Sequence, residues 1–261
     1  MTVFFHELKR GKVSLGIWTA VITFMLAVCV VIYPEMSSQM GEISTVFADM
    51  GSFSRAFGMD QLNFGEFSGY FGIECGNVLG MGGAFFAAIL GISALAKEEK
   101  EHTAEFLLTH PITRCRIITE KLCAIVAQIV LLNVVVIGMT CLSVVAIGES
   151  VDVKTFALLF LAYFLLQLEL ALVTFGISSF IRGNGIGAGL GIAVSMYFLN
   201  IIANLTEDLE FLKWITPFGY TDSADIITDK ALNLGYVAVG MAFAFLGILA
   251  AYVKYTKKNI T

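Results

Sequence analysis

TFALLFLAYFLLQLELALVTFGISSFI, residues 155–181, carries a single charged side chain, Glu169, and stops at Arg182 and Gly183. A bilayer core about 30 Å thick takes about 20 residues of helix, so this run is long enough to cross it. A barrel strand would alternate apolar and polar residues, and this run does not. Backbone N–H and C=O groups in lipid need partners within the same segment, so the run predicts a transmembrane helix.

The same reading, carried outward, finds five more runs: 13–33, closed by Pro34, then 70–96, 121–147, 186–205 and 234–253. Composition agrees. With 57% apolar and 14% charged residues and a mean hydropathy of +0.84, the chain has more oil than a soluble globule of this size can bury. The expectation is an all-α polytopic membrane protein, one transmembrane domain over 1–261 with six transmembrane helices. The opening residues 1–12, MTVFFHELKRGK, place Phe4, Phe5 and Leu8 near one helical face and Lys9, Arg10 and Lys12 at its end. That pattern predicts an interfacial helix before the first span. The first span is too long for a signal peptide, and Pro34-Glu35 stands where small cleavage-site residues belong, so it is expected to stay attached.

Lysine and arginine set orientation. With the N-terminus inside, only Arg55, Lys154, Lys213 and Lys230 of the 16 basic residues fall outside. Both termini are therefore expected in the cytoplasm, with the protein multi-pass in the cell membrane. Glu35, Glu66, Glu149, Asp152, Asp222 and Asp225 are among the many carboxylates that collect on the exterior side, and the net charge is −5. No nucleic-acid partner is expected on that charge. Cys29, Cys75, Cys115, Cys123 and Cys141 show neither a disulfide framework nor a metal-ligand spacing. The exterior segment 206–233 is long enough for short helices.

Two spans carry small residues at fourfold spacing, a pattern that lets helix backbones approach closely. Gly72, Gly76, Gly80 and Ala84 form one ridge, continuing to Ala88; Gly183, Gly187, Gly191 and Ser195 form the other. Polar residues inside spans are the candidates for a transport pathway: Glu169 first, because a carboxylate at the bilayer centre costs about 2.5–3.5 kcal/mol on insertion scales. Asn133, Gln167 and Asn200 follow, then Gln128 and Asn77. Gly183, Gly185 and Ala188 fit the dinucleotide-binding G-x-G-x-x-A, but no strand precedes them. No G-x-x-x-x-G-K-[ST] phosphate loop occurs, so any ATP and magnesium would be held by another chain. No catalytic set assembles either: Glu98-Glu99 lacks the arginine of the E-E-x-x-x-R intramembrane-protease pattern, Thr103 standing in its place.

Residues 97–114, KEEKEHTAEFLLTHPITR, hold the densest charge in the chain. Read as a helix, Thr103, Phe106, Leu107 and His110 share a face, and Pro111 breaks it. Glu98, Glu99 and Glu101 occupy the first turn, where carboxylates suit the positive helix end. An amphipathic loop resting on anionic lipid would be basic along its polar face; this one starts acidic, so a protein partner fits better.

KEEKEHTAEFLLTHPITRCRIITEKL resembles the signature of ABC-2-type exporter permeases: an acidic run, a Thr, an aliphatic pair, a Ser/Thr-x-Pro-Ile/Val turn and a basic residue leading into the third span. Ala104 and Phe106 stand where that family often has Leu and Glu. WITPFGYTDSADII, 214–227, is similar to the aromatic segment before the family's last span. The resemblance implies an ABC-2 (type V exporter-like) fold in which 97–114 is the coupling helix. Glu98, Glu99, His102, Thr103, Phe106, Leu107, His110, Pro111 and Arg114 would face a separate ATPase subunit, present in two copies with its ATP and magnesium. It also implies a second permease copy, identical or homologous, around an outward pathway for a peptide, drug, lipid or ion. The alternative is an ATP-independent secondary transporter or channel in which Glu169 carries ion coupling.

Overall fold

The computed structural model describes residues 2–37, 51, 54, 62, 65–100, 113–181, 183 and 185–257, with backbone alone at 2, 97–100 and 207. Six helices among these are long and apolar enough to cross a membrane, and no strand is present among the described residues. They are α1 (Thr2–Ser37); α2, built from Phe67–Cys75, a π-helical turn Gly76–Met81 and Gly82–Lys100; α3 (Arg114–Ile147); α4 (Val153–Ser178); α5 (Ile186–Leu205); and, after a short helix α6 (Ser223–Asp229), α7 (Leu234–Lys257). The bundle has a basic end, where α1, α3 and α5 begin and α2, α4 and α7 finish, and an acidic end opposite.

One expectation is corrected at the outset. Residues 2–12 do not form a separate interfacial helix: from Thr2 the helix is continuous with the first span, through Pro34 to Ser37. No helix breaker separates the two segments; Gly11 alone costs only about 1 kcal/mol of propensity. Its missing side chain is also useful, because a Cβ there would collide with the Gln128 amide of α3.

Helices of like direction pair, α1 on α3 and α4 between α2 and α7, while α5 leans on α2. About half of the apolar window of α2 and of α4 is buried, 56% and 50%, against 22% for α1 and 17% for α5 and α7. The core therefore lies along α2 and α4, and the others turn an apolar flank outward. α3 shows how: Ile118, Ile125, Ile129, Leu132 and Val136 are buried at helical spacing, while Val134, Leu142 and Val145 on the far face are exposed. An apolar outer face is what a helix in lipid requires.

Close approach is set by small residues. Gly76 and Gly80 admit the ring of Tyr163, Gly83 admits Gln167, and Gly91 lies against the α4 backbone at Ala171. On the other flank of α4, Gly176 and Gly247 meet backbone to backbone across α7. On α5 the packing face is Gly185, Gly189 and Ala193, not the ridge expected from sequence. Gly187 and Gly191 are exposed, and a methyl group on either would meet nothing within 4 Å. The reason is geometric: both rows have fourfold spacing, and α5 presents only one of them to Ile92 of α2.

Candidate functional site

At the basic end, α3 ties the bundle together. Glu120 Oε2 accepts from the backbone N–H of Val3 and Phe4, at 3.0 and 3.2 Å, and Oε1 accepts from Arg116 Nε at 2.9 Å. A carboxylate on the free N–H groups of α1 satisfies donors that the helix itself cannot. Lys121, only 2% exposed, donates to Glu7 Oε1 at 2.8 Å and to Ala94 O at 2.7 Å, joining α1, α2 and α3. Arg114 donates to the carbonyls of Tyr255 and Thr256 near the end of α7, and Thr119 Oγ1 lies 2.6 Å from Tyr252 Oη. Of the residues assigned to ATPase coupling, Arg114 is thus engaged with the α7 terminus. Glu98 and Glu99 lie in the last turns of α2, and His102, Thr103, Phe106, Leu107, His110 and Pro111 lie outside the described residues.

The candidate pathway residues separate into three places. Asn133 Nδ2 donates to Gln167 Oε1 at 2.7 Å and to Ile129 O at 2.9 Å, joining α3 to α4, while Asn133 Oδ1 and Gln167 Nε2 are buried with no hydrogen-bond partner among the described residues. Glu169, 3% exposed, takes its hydrogen bond from Tyr220 Oη at 2.9 Å, not from Asn133. The bare Cα of Gly240 leaves room for this carboxylate against α7. No ion pair to Glu169 exists among the described residues. Burial and the neighbouring carboxylate push the Tyr220 phenol well above its usual value, which keeps it a proton donor. Asn200 sits elsewhere, in a cavity of about 70 Å³ near the acidic end with Asn77, Tyr163, Asp222 and Ser223.

That end is closed by 206–233. Two 3₁₀ turns, Glu207–Trp214 and Pro217–Tyr220, lead into α6, whose first turn is capped by Asp222 through Ala224 N. Thr216 donates to Met196 O at 2.7 Å, and Phe218 meets Tyr197 edge to face. Tyr163 Oη lies 3.0 Å from Ser223 Oγ and 3.3 Å from Thr221 O, while Ser223 donates to Gly72 O at 2.7 Å. The segment is therefore pinned to α2, α4 and α5, and it delivers Tyr220 to Glu169. Gly72, expected from its spacing to belong to a helix-packing ridge, packs on Ser223 and Ile227 of this segment. Burial, with Asp222 close by, raises the Asp225 carboxyl above its ordinary range.

Sequence reasoning missed Tyr220, Tyr163, Glu7, Glu120 and Lys121. A lone carboxylate in an apolar span calls for a donor, and the tyrosine in PFGY was a visible candidate. Nothing local marks Glu7 and Lys121 as partners, since 114 positions separate them.

No match was found among curated proteins. A family model described as ABC-2 family transporter protein matches residues 1–258, that is, all six spans, the charged stretch between α2 and α3, and the segment that carries Tyr220. Helical architecture, span number and this end-to-end match agree: the chain belongs to the ABC-2 family of transporter proteins, as a membrane-spanning component of an ABC transporter.

Proposed function

We propose that the chain is the permease subunit of an ATP-driven exporter. Its basic end faces the cytoplasm, and residues 97–114 dock on a separate ATPase that supplies ATP and magnesium. Two permease copies, identical or homologous, form the transport unit in the cell membrane with two ATPase copies. ATP closes the ATPase pair, the docked segments shift, and the attached spans exchange inward and outward access.

The observation that carries this reading is the family match over residues 1–258. The ties at the start of α3 give it a mechanical route. A shift that moves Arg114 to Lys121 also draws on the first turns of α1 through Glu120 and Lys121, and on the end of α7 through Arg114. Ion pairs and capping bonds of this kind act as rigid couplings when they are buried, and Lys121 is.

The test uses Phe106→Ala and Leu107→Asp. An aromatic anchor at an interface typically contributes about 2 kcal/mol or more. Both variants are expected to insert normally yet lose co-purification with the partner ATPase, or lose substrate-stimulated hydrolysis. Wild-type complex formation and transport by both would remove the coupling role. Single cysteines at Ser52, Asp222 and Thr109 of a cysteine-free variant are expected to label from outside, outside and inside, which checks the orientation.

A further inference from the structure

A groove of about 300 Å³ runs between α4, α5 and α7, and Glu169 stands in its wall. From Glu169 the α4 side continues through Val173, Gly176 and Ile177 to Phe180, eleven positions or roughly 16 Å along the axis. Met196 of α5 and Leu246 of α7 face it. Its rim is open on the apolar flank of the bundle: Phe180 is 58% exposed and Leu246 57%. No lysine or arginine among the described residues lines its wall; Lys254 Nζ lies 5.3 Å over the Phe180 ring at the rim, at the far end from Glu169, and forms no ion pair with it.

The wall is therefore oil with one acid. A carboxyl group buried to 97% either takes up a proton or stays ionised beside a cation or enough hydrogen bonds to replace water. Tyr220 supplies one bond, to Oε2, and no cation of the described residues is in ion-pair reach. A positive charge in the groove would hold this carboxyl ionised, and the surroundings admit one only on an apolar body that arrives through the lipid-facing rim. We infer that this groove binds a lipophilic cation, a protonated amine carried on an alkyl or aryl body. Charge complementarity selects the head, the open apolar walls select the body, and an anion or a neutral polar solute gains nothing there. That such an amine is cargo rests on the exporter reading; that it binds does not.

The experiment measures equilibrium binding of dodecylamine, dodecanol and dodecyl sulfate to the purified full chain in lipid nanodiscs, with empty nanodiscs subtracted. The wild type is expected to prefer the amine over the alcohol by about tenfold, the equivalent of roughly 1.4 kcal/mol. Glu169→Gln is expected to erase that preference while leaving binding of the alcohol unchanged. Tyr220→Phe keeps the charge and is expected to keep the preference. Met196→Trp narrows the groove without touching the acid and is expected to weaken the amine and the alcohol alike, so a Gln variant that fails to fold does not block the test. Equal preference in wild type and Glu169→Gln overturns the site. So does a groove closed by a second copy, read as cross-linking of Cys introduced at Leu246 to its counterpart with no specific amine binding. The assay contains no ATPase, so its failure is separate from loss of ATPase co-purification, which tests the exporter reading itself.

Discussion

Gln167 and Glu169 sit two residues apart on one helix and face opposite seams of it. Gln167 points into the seam with α2 and α3, where Gly83 makes room and Asn133 answers its carbonyl oxygen. Glu169 points into the seam with α7, where Gly240 makes room and a single hydroxyl from Tyr220 answers it. Positions i and i+2 on a helix do not share a face, so one span can hold an amide pair on one side and an acid beside a groove on the other. The amide pair, whose Asn133 Oδ1 and Gln167 Nε2 find no partner among the described residues, has the character of architecture: two amides that specify how α3 meets α4. The acid beside an open groove has the character of a binding group.

The two seams can be broken separately, and the largest effect is expected from their glycines. A methyl at Gly91 would strike the backbone of Ala171 and Phe175, and one at Gly247 the backbone of Leu172 and Val173. Neither neighbour can rotate away, so the helices must part. Gly91→Val and Gly247→Val are each expected to lower stability by about 2–3 kcal/mol or more, read as thermal unfolding of the purified chain. Gly187→Ala and Gly191→Ala, where a methyl meets open space, are the matched controls and are expected within about 0.5 kcal/mol of wild type. Equal losses in both sets would mean that close packing along α4 is not what holds the bundle.

The polar pairs sharpen the comparison at smaller amplitude. Gln167→Leu leaves Asn133 buried without its partner, at a cost of about 1–2 kcal/mol, and the double variant Asn133→Leu/Gln167→Leu is expected to recover part of it. Tyr220→Phe is expected to cost about 1 kcal/mol or less in stability. Glu169→Gln should change transport more than the amide variants do. Additive losses at Asn133 and Gln167 would dissolve the pair as a unit, and a silent Glu169→Gln in transport would reduce Glu169 to a structural residue.

Much of this architecture is legible from sequence because hydropathy is a local property. Each span announces itself by an apolar run, as 155–181 does, and the membrane forces such a run into helix. The pairing of spans is not local. Gly183, Gly187 and Gly191 have the same spacing as Gly185, Gly189 and Ala193, so periodicity could not choose the face that meets α2. The π turn at Gly76–Met81 lies beside the ring of Tyr163, two spans away, a contact no window of sequence contains. Glu169 is legible as an anomaly, but its donor lies 51 residues on, in a segment that reads from sequence as exterior and aromatic with nothing to tie it to α4. The junction of residues 2–12 with the first span is hidden because amphipathic and apolar stretches can share one helix when no breaker divides them.

The smallest expected effect concerns the acidic end, where both seams of α4 begin. Asp152 caps α4 by accepting from Lys154 N at 3.1 Å, takes a bond from Thr155 Oγ1 at 3.1 Å, and meets Lys230 Nζ at 2.6 Å. The bond from Lys230, with those from Thr155 and Lys154, holds its carboxyl below the usual range. A carboxyl whose folded value is depressed stabilises the fold above its unfolded value, about 3.9 for Asp, and that contribution fades as pH falls through the lower folded value. Asp152→Asn is therefore expected to melt slightly earlier than wild type at pH 7, with the gap closing as the pH drops below about 4. Both partners are substantially exposed, 56% for Lys230 and 41% for Asp152, so salt should narrow the gap as well. Lys230→Met should reproduce most of the shift if the ion pair carries it. If Lys230→Met is silent while Asp152→Asn is not, the carboxylate acts as a helix cap alone, and the start of α4 has no energetic link through Lys230 to the segment that delivers Tyr220.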